Sequence, residues 1–409
     1  MLTLDQIETV ALAGLVLFAG YGIRRLIPIL ARYNIPAPVV GGLLMAAIIT
    51  AARQWNWTPL AFTTTLQTPL MIAFFTTIGF GASVSLLRVG GPAVLLFFVL
   101  STLMAVLQNV IGVAASYALG QHPLMGVLAG SVTLTGGPAT GLAFAPQFEA
   151  AGVPAAATLA VAAAMAGIVS GGLIGGPVAT RLVARLRGAA AAVHPHGAHG
   201  LAATVVEDRL DREPAAVPEG EDVESYALLK ALVLILTAMW IGSWLSAQFV
   251  ALGVTLPAYI GAMLIAAVIR NLDDAAGVIR LSQRTIDDLG GTALSLFLVM
   301  ALMTLRLWDL VGVALPLAIM LVLQVAAIAV IAATIVHRVM GRDYEAAVMA
   351  GGFCGFMLGT TANAMANMEA LVERYGPAPK AFLVVPMVGA FFVDFTNAII
   401  ITFCLNLWT

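Results

Sequence analysis

The sequence contains two stretches rich in glycine and threonine, TLTGGPATG (residues 133–141) and GFMLGTTANA (residues 355–364), in the middle of otherwise apolar runs. Each lies near the centre of a longer segment, 122–150 or 343–375. Half of such a segment supplies only about ten helical residues, or about 15 Å at 1.5 Å per residue. Because a hydrocarbon core is about 30 Å thick, the first half of each segment would reach the midplane and the second half would return to the same side. The sequence therefore predicts two re-entrant helical hairpins.

The chain as a whole has the composition of an integral membrane protein. Of its 409 residues, 61% are hydrophobic and 10% are charged, whereas soluble domains carry about 25% charged residues. Spans in lipid must be helical here, because lipid cannot satisfy open backbone groups. The fold class is thus an all-α polytopic membrane protein, with ten candidate spans at 10–30, 37–52, 69–87, 92–119, 156–180, 228–250, 257–269, 290–305, 312–336 and 381–405.

Two other classes of protein are excluded by simple counts. The net charge of −2 leaves no basic surface for nucleic acid, because phosphate binding needs clustered Lys and Arg. The only two cysteines, Cys354 and Cys404, lie in apolar stretches, which is inconsistent with a disulfide scaffold.

The orientation follows from the positive charges, which accumulate in cytoplasmic loops. If the chain starts outside and each hairpin returns to its side of entry, only Arg53 and Arg306 lie outside, and the other 17 of the 19 Lys and Arg residues lie inside. Both termini are then periplasmic, and the polar linker 187–225 is cytoplasmic. The linker is rich in Pro and Gly and predicts a mobile tether. Its three histidines are better explained by solvation than by a metal site; they are His194, His196 and His199.

The two halves of the chain, 1–186 and 226–409, repeat each other. Landmarks recur in the order Pro, Pro, Gly, Gly, at 38, 92, 130 and 167 and again at 257, 316, 351 and 389. Five spans and one hairpin per half require the second half to have the opposite orientation. Inverted repeats with broken helices in matching positions are typical of secondary transporters, which bind substrate near the midplane.

Four stretches also carry a family resemblance, which runs the length of the chain and thins in the linker. PLMIAFFTTIGFGAS (69–83), PLMGVLAGSVTLTGG (123–137), SLFLVMALMTLRLW (295–308) and the block 367–400 closely resemble the bacterial sodium/glutamate symporters. The resemblance implies sodium-driven uptake of L-glutamate across the inner membrane. It also implies a homodimer in membrane lipid, with a substrate-carrying unit that moves like an elevator. Sodium would be the coupling ion, with no other cofactor.

The sequence departs from the family pattern at the first hairpin tip. The family usually has Gly-Gly-His-Gly-Thr there, whereas this chain has Pro138 and Ala139 between Gly137 and Thr140. A sodium- or proton-coupled carrier of another small organic acid is therefore an alternative. An ion channel with the tips as its filter is a weaker one, because the two tips differ. No catalytic motif of an enzyme is present.

A glutamate carrier must hold two carboxylates and an ammonium in a dry site. Half-helix N-termini, unwound backbone and Thr or Asn side chains supply suitable groups. Capping and packing of the hairpin halves is the alternative explanation. The candidate substrate-binding residues are Thr133, Thr135, Gly136, Gly137, Thr140, Gly359, Thr360, Thr361, Asn363 and Asn367.

Asp394 is the most informative single residue, because it lies inside the apolar stretch 381–405. A charge there costs roughly 3 kcal/mol on insertion scales and is functional by default. Asn397 lies on the same helical face at i, i+3. The pair predicts oxygen ligands for sodium. Pairing of Asp394 with the substrate ammonium, or a structural hydrogen bond, are the alternatives.

Overall fold

A computed structural model of the chain describes residues 3–54, 60–85, 91–187, 222–252, 257–310 and 313–408. Residues 188–221, which hold most of the predicted linker and its histidines, lie outside these ranges. In the first half the helices are α1 (Gln6–Leu26), α2 (Pro28–Arg32), α3 (Ala37–Gln54), α4 (Gln67–Gly81), α5 (Gly91–Ala118), α6 (Pro123–Val127), α7 (Gly137–Ala150) and α8 (Ala156–Arg187). In the second half they are α9 (Val223–Ala251), α10 (Ala258–Ala276), α11 (Gln283–Met303), α12 (Ala314–Ile331), α13 (Tyr344–Met357), α14 (Thr361–Tyr375), α15 (Pro379–Phe391) and α16 (Val393–Trp408).

Several helices of the described chain are suited to a membrane. Six are long and apolar enough to cross one, or seven if α15 and α16, which bend by 40° at their junction, form one span. The protein is thus an all-helical, multi-pass membrane protein, as its composition predicts. The predicted spans 37–52, 69–87 and 257–269 correspond to α3, α4 and α10. The helix α4 has 15 residues, about 22 Å, which is less than the core thickness. Ten spans and the inverted orientation of the halves stay predictions.

Polar side chains set where the helices begin. The Asp343 carboxylate accepts a hydrogen bond from the Ala346 N–H (2.7 Å) at the start of α13. The Ser282 hydroxyl accepts one from the Thr285 N–H (3.3 Å), so α11 begins at Gln283, well before the predicted span 290–305. A side-chain acceptor satisfies a backbone donor that the first helical turn leaves free.

The charges at the end of α10 are satisfied within the protein. Arg270 pairs with Asp274 at 3.1 Å, and both side chains are 6% exposed. The hydroxyls of Ser83 and Ser85, beyond the end of α4, donate to the Asp274 carboxylate. This network ties α4 to α10 and explains how buried charges are tolerated, since buried ions need partners.

The helices pack in two groups, each with members from both halves. A flanking group contains α1, α3, α4, α9, α10 and α11, with α4 lying between α10 and α11. A hairpin group contains α5, α8, α12, α15 and α16 around the pairs α6–α7 and α13–α14. In the hairpin group, α5 and α6 come into backbone contact at Gly112 and Gly126, where a side chain on either residue would overlap the other backbone.

Candidate functional site

The helices α13 and α14 form a helical hairpin close to the predicted segment 343–375. Near its tip Gly355 lies against Ala364, and farther down Gly351 lies against Leu371, so the two helices run antiparallel. The chain reverses over the residues between Met357 and Thr361. The Thr360 hydroxyl accepts a hydrogen bond from the Asn363 N–H (3.4 Å) and caps α14. The segment thus contains two antiparallel helices; the re-entrant hairpin stays a prediction.

The predicted hairpin 122–150 is also a pair of helices joined by a break. The helix α6 continues through a wider turn, Leu128–Val132, in which Gly130 leaves the helical conformation at φ −102° and ψ −125°. The chain then turns, and α7 begins at Gly137, where φ is +68°. A left-handed φ of this kind favours glycine. Gly152 lies near the His122 imidazole, so the two ends of the segment meet.

The two hairpin tips lie against each other. A Cβ atom on Gly137 would be 3.6 Å from the carbonyl oxygen of Gly359. The Thr135 hydroxyl oxygen is 3.8 Å from the Met357 sulfur. Residues 222 positions apart in the chain are thereby brought together. The helices α7 and α14 both begin at this place. The first turn of a helix has backbone N–H groups without intrahelical acceptors and carries the positive end of the helix dipole.

Several predicted site residues use their donors within the protein. The Thr133 hydroxyl donates to the Leu128 carbonyl (2.7 Å). The Asn363 amide donates to the Ile168 carbonyl (2.8 Å) and the Asn367 amide to the Gly171 carbonyl (3.0 Å), both on α8. Thr135 donates to the Gln108 side chain (2.6 Å). These four side chains therefore hold the tips in shape, as the packing alternative anticipates.

The other predicted tip residues lie at the N-termini of α7 and α14 or just before them. Gly136 lies against the Thr140 side chain, which is buried. Thr361 is half-buried and lies beside Gly389 of α15. Gly359 is buried, and Thr360 is half-buried.

Three buried oxygen atoms near the tips have no hydrogen-bond partner in the described part of the chain. They are Ser131 Oγ, Asn363 Oδ1 and Asn397 Oδ1. The Asn397 amide donates to the Ser131 carbonyl (2.9 Å), which places α16 against the break of the first hairpin. Buried oxygens without partners are costly, so they are candidates for a bound cation or ammonium group.

Asp394 lies in the first turn of α16, one turn before Asn397. It is half-buried. Within the described ranges no group donates a hydrogen bond to its carboxylate. Among the described residues, the hydrogen bond from α16 to the first hairpin comes from Asn397 and not from Asp394.

Ser131, Gln108 and Asn109 are not among the candidate site residues predicted from the sequence. All three contact the first tip: besides the Thr135 bond to Gln108, the Ser131 N–H donates to the Asn109 side chain (3.0 Å). For Ser131 the available signal was its place two residues before TLTGGPATG. For Gln108 and Asn109 the available signal was the presence of two adjacent amide side chains in an apolar span.

Comparison with known proteins gives a consistent assignment. The sequence profile described as sodium/glutamate symporter matches residues 2–377. A protein of Haemophilus influenzae named sodium/glutamate symporter is 41% identical over 403 residues, covering 97% of this chain and 96% of the relative. The protein of that name in Escherichia coli is 40% identical over 410 residues, covering 100% and 99%. The chain belongs to the sodium/glutamate symporter family.

Membership of the sodium/glutamate symporter family makes this protein a transporter and not an enzyme. In the described residues, no three His, Cys, Asp or Glu side chains are grouped as a metal site. Where the two tips of this family member meet, the polar groups are amide and hydroxyl oxygens and helix N-termini. Such groups suit an amino acid and a hard monovalent cation.

Proposed function

We propose that the protein imports L-glutamate together with sodium by alternating access, and that the meeting hairpin tips form the substrate site. The observation that carries this proposal is the convergence of two half-helix N-termini, those of α7 and α14, on one buried place. The near full-length relatives named sodium/glutamate symporter supply the substrate and the ion.

The N-terminal N–H groups of α7 and α14 would bind the substrate carboxylates, because helix N-termini favour anions. The Asn363 Oδ1 atom is a buried acceptor without a partner in the described chain and is suited to the ammonium group. The remaining candidates would line the same place and give close backbone approach; they are Thr133, Thr135, Gly136, Gly137, Thr140, Gly359, Thr360, Thr361 and Asn367.

Sodium would bind between α16 and the first hairpin. Asn397 Oδ1 and Ser131 Oγ supply neutral oxygens, and Asp394, one turn away, supplies the negative charge. Carboxylate and carbonyl-type oxygens are the ligands that hard cations prefer. Sodium at the first hairpin would stabilise the tip that contacts the substrate, which is a direct route for coupling.

This arrangement predicts that Asn397→Ala raises the sodium concentration for half-maximal uptake by about tenfold, the equivalent of about 1.4 kcal/mol. The reason is the loss of one ligand and of the Ser131 contact. Uptake at varied sodium in proteoliposomes measures it. The control is Asn406→Ala, an amide of the same helix that donates to the Thr402 carbonyl within that helix (2.8 Å). An unchanged sodium dependence in Asn397→Ala would remove Asn397 from the sodium site.

Alternating access would move the hairpin group against the flanking group, in an elevator of inverted repeats. The protein would be a homodimer in the inner membrane with periplasmic termini. The exposed apolar side chains of α9, among them Trp240 (76%) and Trp244 (62%), suit contact with lipid or a second copy. Native mass spectrometry of the solubilised protein measures the oligomer, and labelling of a cysteine added at either terminus measures the topology.

The substrate range is a separate question, because Pro138 and Ala139 stand where the family has a histidine and a glycine. Both are buried in the first turn of α7. A proline there has no N–H to donate, so α7 offers one backbone donor fewer. This observation favours, as a second candidate, uptake of another small organic acid with sodium or protons.

Uptake of labelled L-glutamate into proteoliposomes tests the proposed function. We expect uptake that requires an inward sodium gradient and is absent with potassium alone. Uptake driven equally by a proton gradient, or inhibition by another acid at lower concentration than glutamate, would support the second candidate. Absence of glutamate binding in folded protein at saturating sodium would refute glutamate as substrate.

A further inference from the structure

The side chain of Gln108 bridges the two hairpin tips. It lies in α5 and is fully buried. Its Nε2 donates to the carbonyl of Met357, at the end of α13 (2.8 Å). Its Oε1 accepts from the hydroxyl of Thr135, at the tip of the first hairpin (2.6 Å). One amide thus makes one bond to each tip.

Both partners of Gln108 need such a bond. The Met357 carbonyl belongs to the last turn of α13, where the interrupted helix leaves carbonyls without an intrahelical donor. Thr135 lies in the non-helical turn before α7, and its hydroxyl is buried. An unpaired buried polar group is costly in lipid. The bridge requires a side chain that donates and accepts at once, and an uncharged amide does both.

The bridge is itself anchored from two directions. Gln324 of α12 donates through Nε2 to the Gln108 carbonyl (2.6 Å). The neighbouring Asn109 side chain accepts from the Ser131 N–H at the first break. The point on α5 that contacts the tips is therefore held by the second half of the chain as well as by the first hairpin.

We propose that Gln108 is a positioning residue that holds the two hairpin tips together as one binding site, and that its loss lets each tip open independently. The functional part of this inference rests on the proposed substrate site at the tips. The structural part, that one amide hydrogen-bonds to both tips, does not depend on that site. The two parts are therefore tested by separate measurements.

The structural test is hydrogen exchange of the purified, ligand-free protein in nanodiscs, in the tip peptides 131–140 and 356–363. The variant Gln108→Met keeps length and volume and removes both hydrogen bonds. We expect exchange in both tip peptides to rise about tenfold, since interhelical bonds of this kind contribute modestly each. The control is Ser116→Ala, a buried residue of the same helix that contacts Met320 (3.9 Å) and neither tip.

A second variant keeps the proposal testable if Gln108→Met does not fold. Gln108→Glu retains a donor and an acceptor only when its carboxyl is protonated. We therefore expect protection of both tips at acidic pH. At alkaline pH the carboxylate still accepts from Thr135 but cannot donate to the Met357 carbonyl, so protection is lost in 356–363 beyond the intrinsic effect of pH on exchange. For Gln108→Met, exchange that rises in one tip only, in neither, or equally in Ser116→Ala would overturn the proposal; for Gln108→Glu, protection of 356–363 that does not depend on pH would do so.

The functional test is glutamate uptake by Gln108→Met. We expect the KM for glutamate to rise about tenfold, with a smaller change in maximal rate, because the loaded site still forms when substrate brings the tips together. An unchanged KM would overturn the positioning role. If the wild-type protein does not bind glutamate at all, the proposed substrate fails, while hydrogen exchange still decides the bridge.

Discussion

Asp394→Asn is expected to reduce sodium-driven glutamate uptake about a hundredfold. The carboxylate costs roughly 3 kcal/mol to place in an apolar segment, and we expect the loaded carrier to recover a comparable free energy through its cation. Each 1.4 kcal/mol corresponds to a factor of ten in binding, which gives the expected loss. Initial uptake rates in proteoliposomes, at equal amounts of folded protein, measure it.

Glu369→Gln is the matched control for Asp394→Asn. Glu369 is an exposed carboxylate on α14, within the hairpin group, and we expect near wild-type uptake. Glutamate binding that persists in Asp394→Asn but no longer responds to sodium would assign Asp394 to the cation. Loss of binding even at saturating sodium would assign it to the substrate ammonium. Full sodium-driven uptake in the variant would contradict both roles.

Gly112→Val is expected to prevent the assembly of the hairpin group. A side chain on Gly112 would overlap the carbonyl of Gly126 on α6, so α5 and α6 would have to separate. Because the overlapping atoms are backbone atoms, no side-chain rotation relieves the clash, and the cost exceeds the 1–3 kcal/mol or so of ordinary overpacking. Fluorescence-detected size exclusion and thermal unfolding measure the loss of folded protein.

Gly291→Val is the control for this substitution. Gly291 lies within α11, and a Cβ there would have no neighbour within 4 Å. Both variants introduce the same β-branched residue into a helix, so the difference between them isolates the backbone contact. Equal yields and equal unfolding temperatures for the two variants would contradict the importance of the Gly112 contact.

The sequence was sufficient to locate the breaks, because glycines and threonines in an apolar run have few structural explanations. The structure has a break in both stretches: α7 begins at Gly137, and the chain reverses between α13 and α14. The hydrogen-bond partners of the tip residues were not predictable. Asn363 and Asn367 reach carbonyls of α8 that lie 195 and 196 positions away in the chain. Such pairs depend on how helices pack, which a local pattern does not specify.

The same distinction holds for the proposed sodium site. An acidic residue in an apolar stretch is visible in any sequence, and Asp394 was found that way. A serine such as Ser131 does not stand out in an apolar segment, and only the contact from Asn397 of α16 makes it a candidate ligand. The lengths of the spans were also only partly predictable. The helix α4 ends at Gly81, inside the predicted span 69–87, and Ser83 just beyond it donates to Asp274 of α10, a contact that the local sequence does not show.

The bond between Gln108 and Met357 joins residues 249 positions apart, and this separation has a consequence for biosynthesis. When the ribosome has completed the first half of the protein, Thr135 can already donate to Gln108, but the Gln108 Nε2 donor has no permanent partner, because α13 does not yet exist. The Gln108 amide therefore stays half-satisfied in the apolar helix α5 until the second half is inserted. A prematurely terminated chain would keep this unpaired donor in an apolar span, where an unsatisfied polar group is costly.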